Sequence, residues 1–287
     1  MNKLNSINLE KLKNLLKMKN KNNDLFTLWI SDSGELPELQ HISLKSMLLT
    51  GHNVTLYTYD DLNNVPKGIN VRDGNEILDE SKIFKYKEGF NKGSYSGFSN
   101  WFRVKCLYEK GIPWFDCDIL AMKNINDIKI NGSIISSEYD PEGNICPNLG
   151  FLRLEKKDKL VKALLDYIEN IEDIENTVKH GDTGPRLLKF MMDGEYKEYY
   201  NYLMNPNFIS SINYSNYIDF LKPTEELIKK LKFDEIWGFH IWNAMFREYG
   251  NEHEKVTNGF YYDLKLVILT SSTEKEYENH IRNMGMH

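Results

Sequence analysis

The sequence is poor in cysteine and has no long apolar run. Its 287 residues include three cysteines, Cys106, Cys117 and Cys146, whose wide spacing matches neither a zinc site nor a disulfide framework. Reduced thiols in a cytoplasmic protein are the simplest interpretation of such a set. No stretch approaches the roughly 20 consecutive apolar residues that are needed to cross a bilayer. The first residues also lack the apolar core of a secretory signal. The sequence therefore predicts a cytoplasmic protein.

The sequence also lacks an excess of positive charge and several common catalytic motifs. Lys and Arg number 36 against 42 Asp and Glu, and the formal net charge of −6 argues against nucleic acid as the main partner. There is no phosphate-binding P-loop, no Gly-x-Gly-x-x-Gly turn and no Ser-His-Asp motif. A hydrophobic content of 41%, with 13% aromatic residues, is enough to bury one sizeable core.

Positive charge is concentrated near the N-terminus. Residues 8–22 (NLEKLKNLLKMKNKN) form a Lys-rich amphipathic segment. Such a helix can lie on the anionic inner face of the plasma membrane, or it can pack on the protein through its leucines, and the sequence leaves both open. We divide the chain into a helical extension at 1–23, a main domain at 24–270 and a charged C-terminal tail at 271–287. The sequence does not indicate an oligomeric state.

Alternating strand and helix patterns predict an α/β fold. An apolar strand, an amphipathic helix and a second strand follow one another early in the chain, which is the pattern of a parallel, right-handed βαβ unit. A Lys- and Gly-containing link at 85–97 is expected to lie over the mouth of a crevice. The predicted strands are 25–30, 53–59, 112–120, 133–138 and 150–154, and the predicted helices are 37–50, 98–110 and 157–171.

The most informative stretch is Phe98 to Met122, FSNWFRVKCLYEKGIPWFDCDILAM. Its first half is apolar over most of a helical circumference, which is typical of a buried helix. Asn100 and Arg103 are polar exceptions that share one face of this helix. Gly111 and Pro113 end it. The apolar strand that follows leads into Asp116-Cys117-Asp118, so the sequence predicts two carboxylates close to a buried arginine.

Two aspartates separated by one residue face opposite sides of a regular strand. Asp116 and Asp118 can therefore address one site only if the strand ends there and the chain turns. Ligand crevices in open α/β sheets lie beyond the carboxyl ends of strands. Hard divalent ions take one or two carboxylates and complete their shell with water and phosphate oxygens. These residues predict a metal–diphosphate site, although an isolated Asp-x-Asp can also be an acidic surface turn.

The same stretch resembles the Asp-x-Asp region of glycosyltransferase family 32. That group includes bacterial capsule and lipooligosaccharide transferases and α1,4-galactosyltransferases, and it is similar to the large clostridial glucosylating toxins. Asn100 stands where many members have Asp, and Gly111-Ile112-Pro113 replaces the usual Gly-Gly turn. The residues that carry the resemblance are Ser99, Asn100, Arg103, Gly111, Trp114, Asp116 and Asp118.

Three further segments match the family in the expected order. Asp182-Thr183-Gly184-Pro185 resembles a Gly-Pro-x-Leu-Leu box, His240-x-Trp242 resembles a C-terminal His-x-Trp segment, and Asn148 to Gly150 resembles an Asn-Gly step. The first strand carries Trp29, which the resemblance places against the donor's base, and Ser31, which supplies a hydroxyl. On the residues alone, Trp29 and Trp242 can equally be core aromatics, and the segment at Pro185 can be a simple helix start.

The resemblance implies a GT-A type fold, with a mostly parallel sheet flanked by helices. It implies a retaining enzyme that moves a hexose or N-acetylhexosamine from a UDP-sugar donor to a hydroxyl of a saccharide acceptor, such as a growing capsular polysaccharide or lipooligosaccharide. Mn²⁺ or Mg²⁺ would be held by Asp116, Asp118 and His240. Arg103 and Asp182 complete the predicted catalytic set, with Asp182 gripping sugar hydroxyls. The predicted donor-binding residues are Trp29, Ser31, Ser99, Asn100, Arg103, Asp116, Asn148, His240 and Trp242.

Two other functions remain open on the sequence alone. A toxin-like transferase would modify a protein instead of a saccharide, and the lack of a secretion signal or translocation module argues against it. A non-catalytic nucleotide-sugar-binding protein is a further alternative, which the intact acid pair disfavours.

Overall fold

The computed structural model describes residues 24–127, 130 and 132–286, so the predicted extension at 1–23 lies outside the described residues. The strands are β1 (Asp24–Leu28), β2 (Asn53–Thr58), β3 (Asn70–Asp73), β4 (Trp114–Phe115), β5 (Ile119–Ala121), β6 (Ile134–Tyr139), β7 (Ile145–Arg153) and β8 (Gly238–His240). The α-helices are α1 (Glu38–Leu49), α2 (Ser96–Lys110), α3 (Lys159–Glu169), α4 (Ile174–Thr177), α5 (Pro185–Asp193), α6 (Thr224–Ile228), α7 (Asn243–Tyr249), α8 (Glu252–Lys255), α9 (Phe260–Thr270) and α10 (Glu274–Asn283). Short 3₁₀ helices cover Gly74–Glu76, Glu80–Lys82, Ile125–Asp127, Lys197–Tyr202, Pro206–Phe208 and Tyr214–Leu221.

Six strands form the main sheet in the order β3-β2-β1-β4-β7-β6. The pairings β3–β2, β2–β1 and β1–β4 are parallel, whereas β7 runs antiparallel to both β4 and β6. β1, α1 and β2 make the predicted parallel unit, with Leu25 opposite Val54. The α/β prediction and its mostly parallel sheet are confirmed.

Helices cover both faces of this sheet. Because successive side chains of a strand point to opposite faces, neighbouring residues of β1 enter different cores. Phe26 packs in the cluster that contains α2, α3 and α5. Leu25 packs in the cluster that contains Leu44 and Met47 of α1. A strand buried on both faces reads as a continuous apolar run, as LFTLWI does in the sequence.

Helix α2 is buried along most of its length. Phe98, Phe102 and Cys106 are fully buried along it, as its apolar pattern predicts. The helix ends at Gly111, whose φ of 67° is left-handed, a conformation that favours glycine after a last helical turn. A Cβ on Gly111 would also lie 2.7 Å from the side chain of Lys156. This turn returns the chain directly into β4.

The segment predicted as a charged tail contains helix α10, which packs on the rest of the protein. Tyr277 is 1% exposed, and its hydroxyl donates to the carbonyl of Ala121 in β5 at 2.7 Å. Ile281 lies in the same apolar cluster. The packed unit therefore extends past residue 270. Among the described residues, no helix has the length and apolar character needed to cross a membrane.

Buried His52 predicts a measurable pH dependence of stability. Its Nε2 accepts from the backbone N–H of Ile125 at 3.0 Å, and burial lowers its pKa from 6.5 to about 4. The unfolded chain therefore takes up this proton first as the pH falls below 6.5. We expect the free energy of unfolding to be unaffected by His52 above pH 6.5 and to fall by up to about 3 kcal/mol between pH 6.5 and 4.

Urea denaturation across this pH range measures the effect. His52→Gln retains an acceptor for Ile125 and should flatten the acid side of the stability profile. An unchanged acid slope in His52→Gln would show that other groups govern the acid sensitivity.

Candidate active site

A cavity of about 930 Å³ opens beyond the carboxyl ends of β1 and β4. Its floor comes from strand ends and from the first turns of α2, and its walls come from the loops before α5 and α7. Such an edge is where ligands bind in open α/β sheets. The predicted residues among its lining side chains are Trp29, Ser31, Ser99, Asn100, Arg103, Asp116, Asp118, Asn148, His240 and Trp242.

The two aspartates lie in a turn between two sheets. The single strand predicted across 112–120 is wrong, because β4 ends at Phe115 and β5 begins at Ile119 in a separate two-stranded sheet with β8. The N–H of Ile119 donates to the carbonyl of Asp116 at 3.1 Å, which closes the turn. This change of sheet brings Asp116 and Asp118 to the same cavity, as the acid spacing requires.

Arg103 holds Asp116 in place. One terminal nitrogen of the guanidinium donates to Oδ1 of Asp116 at 2.6 Å, and the other donates to the carbonyl of Leu149 at 3.0 Å. The indole N–H of Trp114 donates to the same Oδ1 at 2.8 Å, and the guanidinium lies 4.6 Å from the centroid of the Trp114 ring. Arg103 is 5% exposed. These contacts lie inside the protein, so Arg103 acts on the site through Asp116, and its predicted place in the catalytic set stays a prediction.

Asp118 faces His240. Its Oδ1 lies 3.3 Å from Nε2 of His240, and its Oδ2 accepts from the backbone N–H of Asn243 at 2.9 Å. His240 comes from β8, whose residue 240 pairs with Ile119 next to the acids. The imidazole stacks on Trp242 with 3.9 Å between ring centroids. Pairing of β5 with β8 therefore delivers the histidine to the acid pair.

The pKa values in this cluster follow from burial and mutual charge. Burial raises the pKa of the Asp116 carboxyl, and Arg103 opposes this without cancelling it. Burial also acts to raise the pKa of Asp118, but the charge and hydrogen bond of His240 outweigh it and the pKa is lowered. Burial acts to lower the pKa of His240, and Asp118 overcomes it, so that pKa is raised. Asp118 and His240 thus favour each other's charged forms beside a less acidic Asp116.

These three side chains can hold a metal ion. One ligand atom each from Asp116, Asp118 and His240 lies within 4.8 Å of the other two. Two carboxylates and an imidazole suit Mn²⁺, and the remaining positions would be open to water and phosphate oxygens. Nδ1 of His240 is buried and has no hydrogen-bond partner among the described residues. The donor set therefore fits a divalent metal, with Nε2 having to lose its proton on binding.

The Asp-Thr-Gly-Pro segment packs on helix α2 instead of contributing its acid. The amide of Asn100 lies 3.4 Å from the hydroxyl of Thr183. A Cβ on Gly184 would lie 2.6 Å from Nδ2 of Asn100, so only glycine permits this approach. Thr183 is 1% exposed. The segment positions Asn100 at the cavity and begins α5 at Pro185.

The predicted catalytic role of Asp182 stays a prediction, and the contacts of its side chain in the structure are local. Its carboxylate pairs with Arg186 at 3.1 Å and accepts from the backbone N–H of Lys179 at 2.8 Å. Gly181 and Pro185 line the cavity, but Asp182 is not among the lining residues. The carboxylate that the resemblance implies as a sugar ligand is therefore hydrogen-bonded within its own loop in this structure.

The segment that follows β1 brings two predicted residues to the cavity, and their side chains differ in how far they are already hydrogen-bonded. Trp29 lines it, and the buried Nε1 of its indole has no partner among the described residues. The hydroxyl of Ser31 donates to the carbonyl of Glu35 at 2.8 Å and accepts from the N–H of Glu35 at 3.1 Å. Ser31 therefore shapes the loop after β1, and Trp29 remains available to a ligand.

The structure adds residues that the sequence did not single out. Glu138, the last residue of the predicted strand 133–138, lines the cavity, and burial raises its pKa although Asn148 opposes this. Asn91 lies in the link that was predicted over the mouth of the cavity. Its Nδ2 lies 3.1 Å from Nδ1 of His180, and its Oδ1 accepts from the guanidinium of Arg247 at 2.5 Å. In the sequence, the acidic residue at the end of a predicted strand could have pointed to Glu138. Nothing in the sequence indicated the contacts of Asn91.

Comparison with known proteins gives structural neighbours only. No family model and no curated protein matches the chain. GlyE of Streptococcus pneumoniae, a glycosyltransferase, is 12% identical with a TM-score of 0.48, over 92% of this chain and 64% of its own. The galactosyltransferase LgtC, solved with donor and acceptor sugar analogs, is 10% identical with a TM-score of 0.42, over 91% and 99%. The PaToxG glycosyltransferase is 13% identical with a TM-score of 0.40, over 92% and 86%.

These neighbours are glycosyltransferases. Because the identities and TM-scores are low, the function is inferred from the geometry of the site itself.

The metal cluster predicts a specific loss on mutation. Asp118→Asn removes one negative charge from the donor set, so we expect Mn²⁺ affinity to fall on the order of tenfold or more. Calorimetric titration of the protein with Mn²⁺, with and without UDP, measures this directly. Asp140→Asn is the matched control, because its carboxylate accepts from the N–H of Asn144 in the β6–β7 turn outside the cavity. Equal Mn²⁺ affinity of wild type and Asp118→Asn would exclude this cluster as the metal site.

Proposed function

We propose that this protein is a metal-dependent glycosyltransferase related to family 32, which transfers a sugar from a UDP-sugar to a hydroxyl of a saccharide. The observation that carries the proposal is the convergence of Asp116, Asp118 and His240 in one cavity, beside buried Arg103. A nucleotide diphosphate is the ligand that suits such a cluster, because a bound divalent ion would neutralise the charge on a departing diphosphate.

The chain's own residues bind and orient the proposed donor. Trp29 offers an aromatic surface to the uracil at one end of the cavity. Arg103 keeps Asp116 directed into the site through its contacts with Asp116 and Leu149. The backbone N–H of Asn243, at the start of α7, fixes Asp118. These contacts set the donor's position before reaction, and such positioning lowers the barrier because the entropy of orienting the reactants is lost on binding.

The finer parts of the proposal rest on the resemblance. Transfer of a hexose or N-acetylhexosamine, retention of configuration, and a capsular polysaccharide or lipooligosaccharide acceptor are what members of family 32 suggest. A cytoplasmic location, with residues 8–22 on the inner membrane surface, stays a prediction.

Turnover and its stereochemistry test the proposed function. The protein with Mn²⁺ should hydrolyse at least one of a panel of α-linked UDP-hexoses and UDP-N-acetylhexosamines, and addition of a saccharide acceptor should divert the sugar into an α-linked product. Proton NMR of the first-formed product reads the anomeric configuration. A β-anomer would contradict the retaining assignment, and absence of both binding and turnover across the panel would contradict the donor class.

Trp29 should contribute to UDP binding without being essential to the fold. Trp29→Ala is expected to weaken binding of free UDP by about 1–3 kcal/mol, since a base stacked on an aromatic ring is worth that much. Trp29→Phe, which keeps a ring, should retain part of the affinity. Thermal melting must be measured beside calorimetry, because Trp29 also packs against the cluster behind β1. A lower Tm with unchanged UDP affinity would assign Trp29 to the core alone.

A further inference from the structure

We propose that Glu138 binds a pyranose hydroxyl in the cavity and that Asn148, expected from the resemblance to contact the donor, instead positions Glu138. The inference rests on the proposed function and names the residue that recognises the sugar. The hydroxyl belongs to the donor sugar or to the acceptor, and both present the same chemistry to a carboxylate.

The side-chain amide of Asn148 already makes hydrogen bonds within the cavity wall. Its Nδ2 donates to Oε2 of Glu138 at 2.6 Å, and its Oδ1 accepts from the N–H of Gly150 at 2.5 Å and from the hydroxyl of Ser136 at 3.4 Å. An asparagine amide has two donor and two acceptor positions, and the single hydroxyl proton of Ser136 also has the carbonyl of Asn148 as an acceptor at 3.0 Å, so one donor and one acceptor position are fully in use. Asn148 is also 5% exposed. Its side chain therefore has few hydrogen-bonding positions available to a substrate.

Glu138 is held so that one carboxylate oxygen remains free. Oε2 accepts from Asn148, while Oε1 takes part in no hydrogen bond with the residues that the structure describes. The side chain is partly buried and lines the cavity. A carboxylate with restricted access to water requires hydrogen-bond donors. Hydroxyl groups of a bound sugar are donors of the right kind, and hydrogen bonds to a charged acceptor are the stronger class.

The position of Glu138 separates it from the metal cluster. Glu138 lies on β6, and β7 stands between β6 and the end of β4, where the N–H of Asp116 donates to the carbonyl of Gly150 at 2.8 Å. Two strand spacings of about 4.8 Å separate the backbones of β6 and β4 by roughly 10 Å across the sheet. Glu138 pairs with Cys146, which precedes Gly150 along β7, so the Cα atoms of Glu138 and Asp116 are farther apart still. Glu138 is also outside the group of residues that can share a metal ion. A group joined to the diphosphate, such as the sugar, would extend across this interval.

Charge argues against a phosphate at Glu138. A carboxylate repels a phosphate, and neither Asn148 nor Ser136 supplies a positive charge there. A neutral, hydroxyl-rich group avoids this repulsion. A site built to hydrogen-bond a hydroxyl also rejects an analogue that lacks it, because the buried polar atom is then left unpaired. Glu138 is thus a specificity-determining residue of the proposed reaction.

The experiment compares nucleotide binding with sugar recognition. Wild type, Glu138→Gln and Glu138→Ala are titrated by calorimetry with free UDP and with the UDP-sugars of the panel, all in Mn²⁺. Hydrolysis without acceptor and transfer with acceptor are then assayed. Both variants should bind UDP as wild type does. Glu138→Gln, which preserves shape, should raise either the Kd of the UDP-sugar or the KM of the acceptor by roughly tenfold or more.

The two sources of hydroxyl give different results. A donor contact raises the Kd of the UDP-sugar and the KM for hydrolysis. An acceptor contact leaves both unchanged and raises only the KM of the acceptor in transfer. Either result supports the proposal. Glu142→Gln, on an exposed acid in the turn between β6 and β7, is the matched control and should change none of these values.

The positioning role of Asn148 is tested by a double-mutant cycle. If Asn148 acts through Glu138, Asn148→Ala should raise the same Kd or KM, and it should add little in the Glu138→Gln background. A purely structural asparagine would lower the Tm and have additive effects on sugar recognition.

The outcomes also separate this inference from the proposed function. Wild-type sugar parameters in Glu138→Gln and Glu138→Ala would overturn the assignment of Glu138 while the transferase proposal stands. An equal loss of affinity for UDP and UDP-sugar would place Glu138 in the nucleotide site instead and would overturn it too. A wild-type protein that binds no UDP or UDP-sugar would overturn the proposed function and this inference with it.

Discussion

The buried ion pair between Arg103 and Asp116 is the contact on which the site depends. Arg103 comes from the middle of α2, and the two oxygens that it binds belong to the turn after β4 and to β7. One side chain therefore joins this helix to two neighbouring strands. Removal of one partner from a buried pair leaves an uncompensated charge, which costs about 3–5 kcal/mol. This penalty keeps the geometry of the acid turn linked to the packing of the helix.

The cavity gathers acidic groups that would destabilise one another without their partners. Asp116, Asp118 and Glu138 all line it, and each is held by a different neighbour: Arg103, His240 and Asn148. Burial of carboxylates is unfavourable unless each is paired or hydrogen-bonded. Extensive apolar packing on both faces of the sheet stabilises the fold around this polar centre. Of these acids, Asp116 and Asp118 lie close together, and a cation is the natural complement of that pair.

The elements that surround the cavity are in close contact with one another. Gly184 lies against the amide of Asn100, where a Cβ would be 2.6 Å away. Asn91 ties the link over the mouth to His180 and to Arg247 of α7. The loop before α5, the link and α7 are thus connected to one another around the opening. Elements that are far apart in the chain converge on the same space.

The sequence by itself was sufficient for the α/β fold and for the buried helix α2 that carries Arg103. These features depend on local periodicity and on turn chemistry, which the order of residues specifies directly. It also showed that Asp116 and Asp118 need a chain turn to share one site, because that follows from strand geometry alone. The family boxes located Asp182 and Asn148 and implied sugar or donor contacts for them, but they did not indicate the contacts that these side chains make within the protein.

Only the tertiary structure decided how those side chains are used. Asp182 is taken up by Arg186 and the backbone of Lys179, Arg103 by Asp116 and Leu149, and Asn148 by Glu138 and Gly150. The contacts of Arg103 and Asn148 cross between elements, and the change of sheet after Phe115 depends on pairing with a strand more than a hundred residues away. A hydrogen bond is determined by the three-dimensional approach of two groups, and residue type specifies only which groups are able to form one.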